Sequence, residues 1–257
     1  MSALTDAEIE ARRRTGAVPF WRAIAAGARE GHVVEHDGGV VACVLPCSPQ
    51  RSIMNCVSYE DGDALLAARD ALAAAYHAAG VRAWTVWVLP GDDHVAAGLA
   101  AAGHVLDASP LAMGGVLAEM DLAPRGDTEV TRSDDWVAMA RLNAAAYGMP
   151  DDDWVAAFAR QTGEGLGTLY VVGPHDDPAS CAFIAPHEGN AEVCFVATKP
   201  AARGRGLASD LLRHALGEAR DAGCETATLE ASKAGRGVYA RLGFRDLGEL
   251  QLWELRR

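Results

Sequence analysis

The sequence has no C-x-x-C pair and no cysteine–histidine cluster at zinc spacing, although Cys43, Cys47, Cys56, Cys181, Cys194 and Cys224 are present. That pattern argues against a structural zinc site and a dithiol redox motif, so no metal is expected. Reduced thiols in a cytoplasmic protein are the simplest expectation. No uncharged run is long and apolar enough to span a bilayer, so no membrane partner is expected. The stretch Met1 to Arg14 mixes acidic and basic residues without an apolar core, which predicts no signal peptide. Positive charge is scarce as well. Lys and Arg number 23 against 35 Asp and Glu, a net charge of −12, and residues 1–125 and 126–257 each carry −6. Neither half offers the positive field that nonspecific nucleic-acid binding needs, so a cationic or neutral partner is expected.

What is present is an ordinary globular balance: 257 residues, 50% hydrophobic and 23% charged. That length suits one large domain or two small ones. Ala-rich helical segments alternate with short β-branched runs, which predicts α/β or α+β architecture. In the first half the pattern predicts helices over 18–29, 64–79 and 93–102. Strands are expected over 32–36, 40–45, 51–58, 83–89 and 111–120. Residues 121–127 have the Pro/Gly and charged make-up of a linker. The second half predicts a strand over 129–132, a helix capped by Ser133 or Asp134, and a helix opening at Asp151, Asp152 and Asp153. Strands over 168–172, 181–185 and 192–198 follow, then a helix over 204–222, a strand over 225–231, a short helix over 235–242 and a last strand over 247–255.

The halves can be superimposed in sequence. Gly80 and Gly223 each end a helix, strands follow at 83–88 and 226–230, and Gly103 and Gly243 each end a short helix. Shared element order and turn spacing predict a tandem repeat: a domain over 1–120, a linker over 121–127 and a domain over 128–257.

The strongest local signal runs from Val196 through Ala197, Thr198 and Lys199 to Pro200, and on through Arg203, Gly204, Arg205, Gly206, Leu207 and Ala208 to Ser209. A strand ends, Pro200 stops it, and a Gly-rich turn opens a long helix. Free amides at such a start, with the helix dipole behind them, form an anion site. Glycines let the backbone approach a bulky anion. Arginines at a helix N-terminus are unfavourable unless an anion sits among them. No Walker A string occurs, and the dinucleotide fingerprint fails because Gly204 and Gly206 are followed by Ser209 in its last position.

This loop resembles the R-x-x-G-x-G/A signature of the GNAT acetyltransferase superfamily. The downstream stretch from Leu229 through Ser232, Gly235, Arg236 and Tyr239 to Gly243 and Phe244 is similar to that family's closing segment, with its Y-x-x-x-G-F ending. The resemblance implies two GNAT-like domains, each a twisted mixed sheet flanked by helices. It implies acetyl-CoA as co-substrate, bound by Val196, Ala197, Thr198, the stretch from Arg203 to Ala208, Ser232, Gly235, Arg236 and Tyr239. Ser232 departs from the asparagine that many members carry there, which leaves the contacts at the thiol end open. The implied reaction is direct transfer of acetyl to a primary amine, on a small molecule or a peptide, within a ternary complex. A backbone N–H near Val196 would hold the oxyanion, Tyr239 would protonate the leaving thiolate, and Glu192 would serve as base, with Glu230 as second candidate.

In the first half, the stretch equivalent to the loop carries Glu60, Asp61 and Asp63 and no arginine, and Leu99 stands where Tyr239 stands in the second. The first domain is therefore expected to keep the fold without the chemistry. A noncatalytic acyl-CoA-binding regulator is the alternative function, and a monomer or homodimer is expected. The simplest readings of Cys194, Trp84 and Trp87 are packing residues, those of His175 and His187 exposed loop residues, and those of Asp151 to Asp153 helix-start acids.

Overall fold

The computed structural model describes residues 4–257. In chain order it begins with α1 (Asp6–Gly27), β1 (His32–His36), β2 (Val40–Val44), β3 (Cys56–Ser58), α2 (Gly62–Ala78), β4 (Ala83–Val88) and α3 (Asp93–Ala101). Then come β5 (Val105–Ala108), β6 (Leu111–Val116), β7 (Thr131–Ser133), α4 (Trp136–Tyr147), α5 (Asp152–Phe158), β8 (Thr168–Val172) and β9 (Ser180–His187). The chain closes with β10 (Asn190–Thr198), α6 (Leu207–Asp221), β11 (Thr226–Ala231), α7 (Arg236–Leu242), β12 (Arg245–Glu249) and β13 (Gln251–Arg256).

Two compact units result, and neither is contiguous in sequence. One holds the residues up to Phe20, Leu111–Asp151 and Thr162–Gly248; the other holds Trp21–Pro110, Asp152–Gln161 and Glu249–Arg257. The first is built on a seven-stranded sheet in the order β12-β6-β11-β10-β9-β8-β7, the second on a six-stranded sheet in the order β1-β2-β3-β4-β13-β5. From β8 to β12, read in that direction, the larger sheet repeats the smaller one strand for strand. Each has a parallel pair joined through a helix, β10 with β11 and β3 with β4.

The division differs from the one expected at residues 121–127. Strand β6 comes from the first half of the chain but pairs antiparallel with β11, from Thr226 opposite Val116 to Ala231 opposite Leu111. Strand β13 comes from the chain's end but pairs with β4, from Gln251 opposite Val88 to Arg256 opposite Ala83. Each sheet thus receives one interior strand from the other half of the sequence. The single strand expected over 247–255 is two strands, divided at Leu250, whose N–H bonds the Pro110 carbonyl. β5 is exposed along its whole length, so it carries no hydrophobic alternation for sequence reading to detect.

Helix α1 begins twelve residues before the expected start at Val18. Its start is a capping box: the Glu8 N–H bonds Thr5 Oγ1 at 3.3 Å, and the Thr5 N–H bonds Glu8 Oε2 at 2.7 Å. In the seven-stranded unit, Leu207, Leu211, Leu212, Ala215 and Leu216 recur at helical spacing and put one face of α6 into the core. Each fully buried leucine there contributes about 2 kcal/mol of transfer free energy. That burial anchors α6, and with it the loop that precedes it.

Candidate active site

Strand β10 follows β11 only from Asn190, opposite Thr226, to Glu192, opposite Thr228. On its other edge the register with β9 shifts between Cys194 and Ala197. At that shift Phe195 adopts φ 52°, a left-handed conformation that costs a non-glycine residue about 1–3 kcal/mol. The sheet therefore opens just past Glu192.

The Gly-rich turn follows. Gly206 is the N-cap of α6 with φ 83° and no side-chain cap. The amide N–H groups from Gly204 through Ser209 have no hydrogen-bond acceptor among the described residues. A Cβ placed at Gly204 would meet nothing within 4 Å, and one at Gly206 only Asp210 Oδ2 at 3.8 Å. Exposed donors, open space and the positive end of a fifteen-residue helix suit a diphosphate. Of the two arginines, Arg203 donates from Nη2 to the Ala146 carbonyl at 2.5 Å, in the last turn of α4, where a cation is favoured. Arg205 is exposed.

The turn that opens α2 in the six-stranded unit contrasts with it. There Asp61 is the N-cap, and its carboxylate accepts from the N–H groups of Asp63 (2.9 Å) and Ala64 (3.1 Å). That helix start carries its own anion. Leu99 is fully buried in the same unit's core.

Glu192 is 5% exposed, and its Oε2 has no hydrogen-bond partner among the described residues. Burial, reinforced by Glu230, pushes its carboxyl up to about 8, against the opposing pull of Arg13 and of the Cys194 thiol. Glu192 is thus largely protonated at neutral pH. Glu230, on the neighbouring strand, is instead ion-paired to Arg13, Nη1 to Oε1 at 2.6 Å. Arg13 also forks onto Glu10, at 2.6 Å and 2.8 Å.

Tyr239 is buried in α7, its ring edge-on to Phe244 with centroids 5.9 Å apart. Burial pushes its phenol well above the usual range, and Tyr147 and Cys194 push it further. Cys194 thus interacts with both Glu192 and Tyr239, and burial holds it as the neutral thiol. Ser232 Oγ accepts from the Gly235 N–H at 3.2 Å, which tightens the start of α7, while Arg236 is ion-paired with Asp246. Thr198 Oγ1 shares a hydrogen bond with Ser180 Oγ at 2.9 Å. Val196 is half-buried and Ala197 buried, both beside the register shift. Trp84 is core, stacked on Tyr76, and Asp153 is engaged by the Gln50 N–H at 2.8 Å.

Sequence reasoning missed Arg13, Asn143 and Tyr147. The T-x-x-E box would have extended α1 back across Arg13. Asn143, the one amide in an otherwise Ala-rich helix, was a visible anomaly.

The acetyltransferase (GNAT) family model matches residues 121–244. That segment belongs to the GNAT family. The GNAT assignment gives acetyl transfer as the coarse activity. Among solved structures, the chain resembles a GCN5-related N-acetyltransferase from Kribbella flavida at 17% identity and TM-score 0.67, with 95% of each chain covered. It also resembles a tandem GNAT protein from the clavulanic acid biosynthesis pathway at 15% identity and TM-score 0.58, covering 99% of this chain and 97% of that one. A GCN5-related N-acetyltransferase from Sphaerobacter thermophilus matches at 15% identity and TM-score 0.53, covering 99% and 94%. At these identities the likeness is one of fold, and it matches two GNAT-like sheets in one chain. No curated protein sequence matches the chain. Among the described residues no helix is long and apolar enough to cross a membrane, and no group of side chains could hold a metal ion.

Proposed function

We propose that the seven-stranded unit transfers the acetyl group of acetyl-CoA to a primary amine by direct attack in a ternary complex. The observation that carries this reading is the row of unpartnered amides from Gly204 through Ser209 at an uncapped helix start, beside a sheet that opens at Glu192. Those amides would hold the diphosphate, and the backbone of Val196 to Thr198 the pantetheine arm. Ser232, Gly235 and Arg236 flank the thiol end.

The chemistry needs a neutral amine. The carboxylate form of Glu192, directly or through water, takes the proton the amine must lose. The amine nitrogen bonds to the thioester carbon, and the Val196 N–H faces the oxygen as negative charge develops there. The C–S bond then breaks, the thiolate takes the proton of Tyr239, and the resulting phenolate takes the second proton that the nitrogen sheds as the amide forms. A phenol whose pKa is raised by burial is fully protonated and available for that step.

The six-stranded unit is proposed to be a GNAT-like domain without a cofactor site, because Asp61 occupies the helix start where an anion would bind. Incubating the protein with acetyl-CoA and a library of small and peptidyl amines, and following CoA release, tests the reading. CoA release with at least one amine is expected. Tight acetyl-CoA binding with no turnover across the library would favour a noncatalytic acyl-CoA-binding protein instead.

A further inference from the structure

Phe195 holds a left-handed backbone conformation that an aromatic residue rarely adopts. Something must hold it there. Its carbonyl accepts from Asn143 Nδ2 at 3.3 Å and from Cys181 Sγ at 3.3 Å. The second hydrogen of the same amide goes to the Met139 carbonyl at 3.1 Å, one turn back in α4. Asn143 is 1% exposed and Cys181 is fully buried, so water does not compete for these contacts.

The described chain has no cis peptide bond, so the carbonyl and N–H of the Phe195–Val196 peptide point in opposite directions. Fixing the carbonyl toward α4 and β9 turns the Val196 N–H away from them, to the side where β11 has parted from β10. Val196 lies inside the register shift with β9 and beyond the last pairing with β11.

We infer that Asn143, assisted by Cys181, is a positioning residue: it clamps the Phe195 carbonyl so that the Val196 N–H is presented to the thioester carbonyl of acetyl-CoA. This rests on the acetyl-transfer reading and adds to it the device that orients the oxyanion donor. Without the clamp, the strained peptide relaxes toward extended geometry and the N–H rotates away. The phosphate loop lies outside this arrangement, so the grip on the diphosphate of CoA is separate.

The test uses acetyl-CoA carrying carbon-13 at its carbonyl and isotope-edited infrared spectroscopy of the complex. In the wild type, the bound carbonyl stretch is expected below that of free acetyl-CoA. In Asn143→Leu that shift should be lost while CoA, which has no acetyl carbonyl, still binds through the diphosphate grip of the Gly204–Ser209 amides. Cys181→Ala removes the weaker donor and should lose part of the shift. An undiminished shift in Asn143→Leu, or a loss matched by an equal loss of CoA affinity, overturns the clamp. If Asn143→Leu does not fold, Cys181→Ala decides: a shift equal to wild type overturns it. A wild type that does not bind acetyl-CoA at all overturns the acetyltransferase reading, and the clamp with it.

Discussion

Arg13 on α1 and Glu230 on β11, 217 residues apart in the chain, form an ion pair at 2.6 Å whose arginine side chain is 5% exposed. The pair settles how charge is divided at the opening of the sheet. Glu230 has a guanidinium cation against it. Glu192 has the neighbouring negative charge and an unpartnered oxygen, and so keeps its proton near neutrality.

The division predicts a pH dependence. The Glu192 pKa is raised in the folded state to about 8 from an ordinary value of 4.5. The native state therefore binds more protons than the unfolded one between those values, and Glu192 takes away stability as pH rises through that window. Glu192→Gln should leave the melting temperature nearly unchanged at pH 4 and raise it at pH 9. In turnover, the wild-type rate should climb as pH passes through about 8, and the variant should lose that step. A pH–rate profile identical to wild type would move the base role to Glu230 or to solvent.

Gly206→Val tests the loop. The residue sits at φ 83°, where a β-branched side chain is strained, and its Cβ would project into open space beside the free amides. Acetyl-CoA at a hundred times its Kd should stabilise the wild type by about 2.7 kcal/mol. In the variant, differential scanning fluorimetry should find that stabilisation gone. A preserved shift would place the cofactor elsewhere.

Tyr239→Phe keeps the ring that packs on Phe244 and removes only the proton donor. It should lower kcat by about 10²–10⁴, with CoA affinity and melting temperature near wild type. Wild-type turnover in stopped-time assays would reduce Tyr239 to a packing residue.

Calorimetric titration with CoA should give one site per chain. Asp61 already satisfies two amides at the start of α2, and its carboxylate would lie against any incoming phosphate. The single site should disappear in Gly206→Val. Two sites, or one that survives the substitution, would mean that the six-stranded unit binds cofactor after all.

Much of the site is local and could be read along the chain. Pro200, Gly204 and Gly206 announce a strand that stops and a helix that opens with bare amides, because backbone freedom and the missing cap are properties of those residues themselves. Tyr239 and Glu192 become candidates through the resemblance of the segments around them to the GNAT family, and that likeness is itself local. The box formed by Thr5 and Glu8 is equally local, and it sets the start of α1 well before the apolar pattern that begins at Val18, which brings Arg13 into the helix. The raised pKa of Glu192 had no local sign, since it arises from burial and from a carboxylate on another strand.

The sequence by itself determined the periodicity of the helices and strands, the repeated order of elements in the two halves, and the chemistry of the loop before α6. These depend on turn residues, capping and hydrophobic spacing within a few positions of each other. Only the tertiary structure decided that β6 joins the seven-stranded sheet and β13 the six-stranded one. A strand's own residues state that it will pair, but the choice of partner is made by sheet edges far away in sequence. The same holds for Arg13 against Glu230 and for Asn143 against the Phe195 carbonyl. Their meaning lies in which distant group each one meets once the chain has folded.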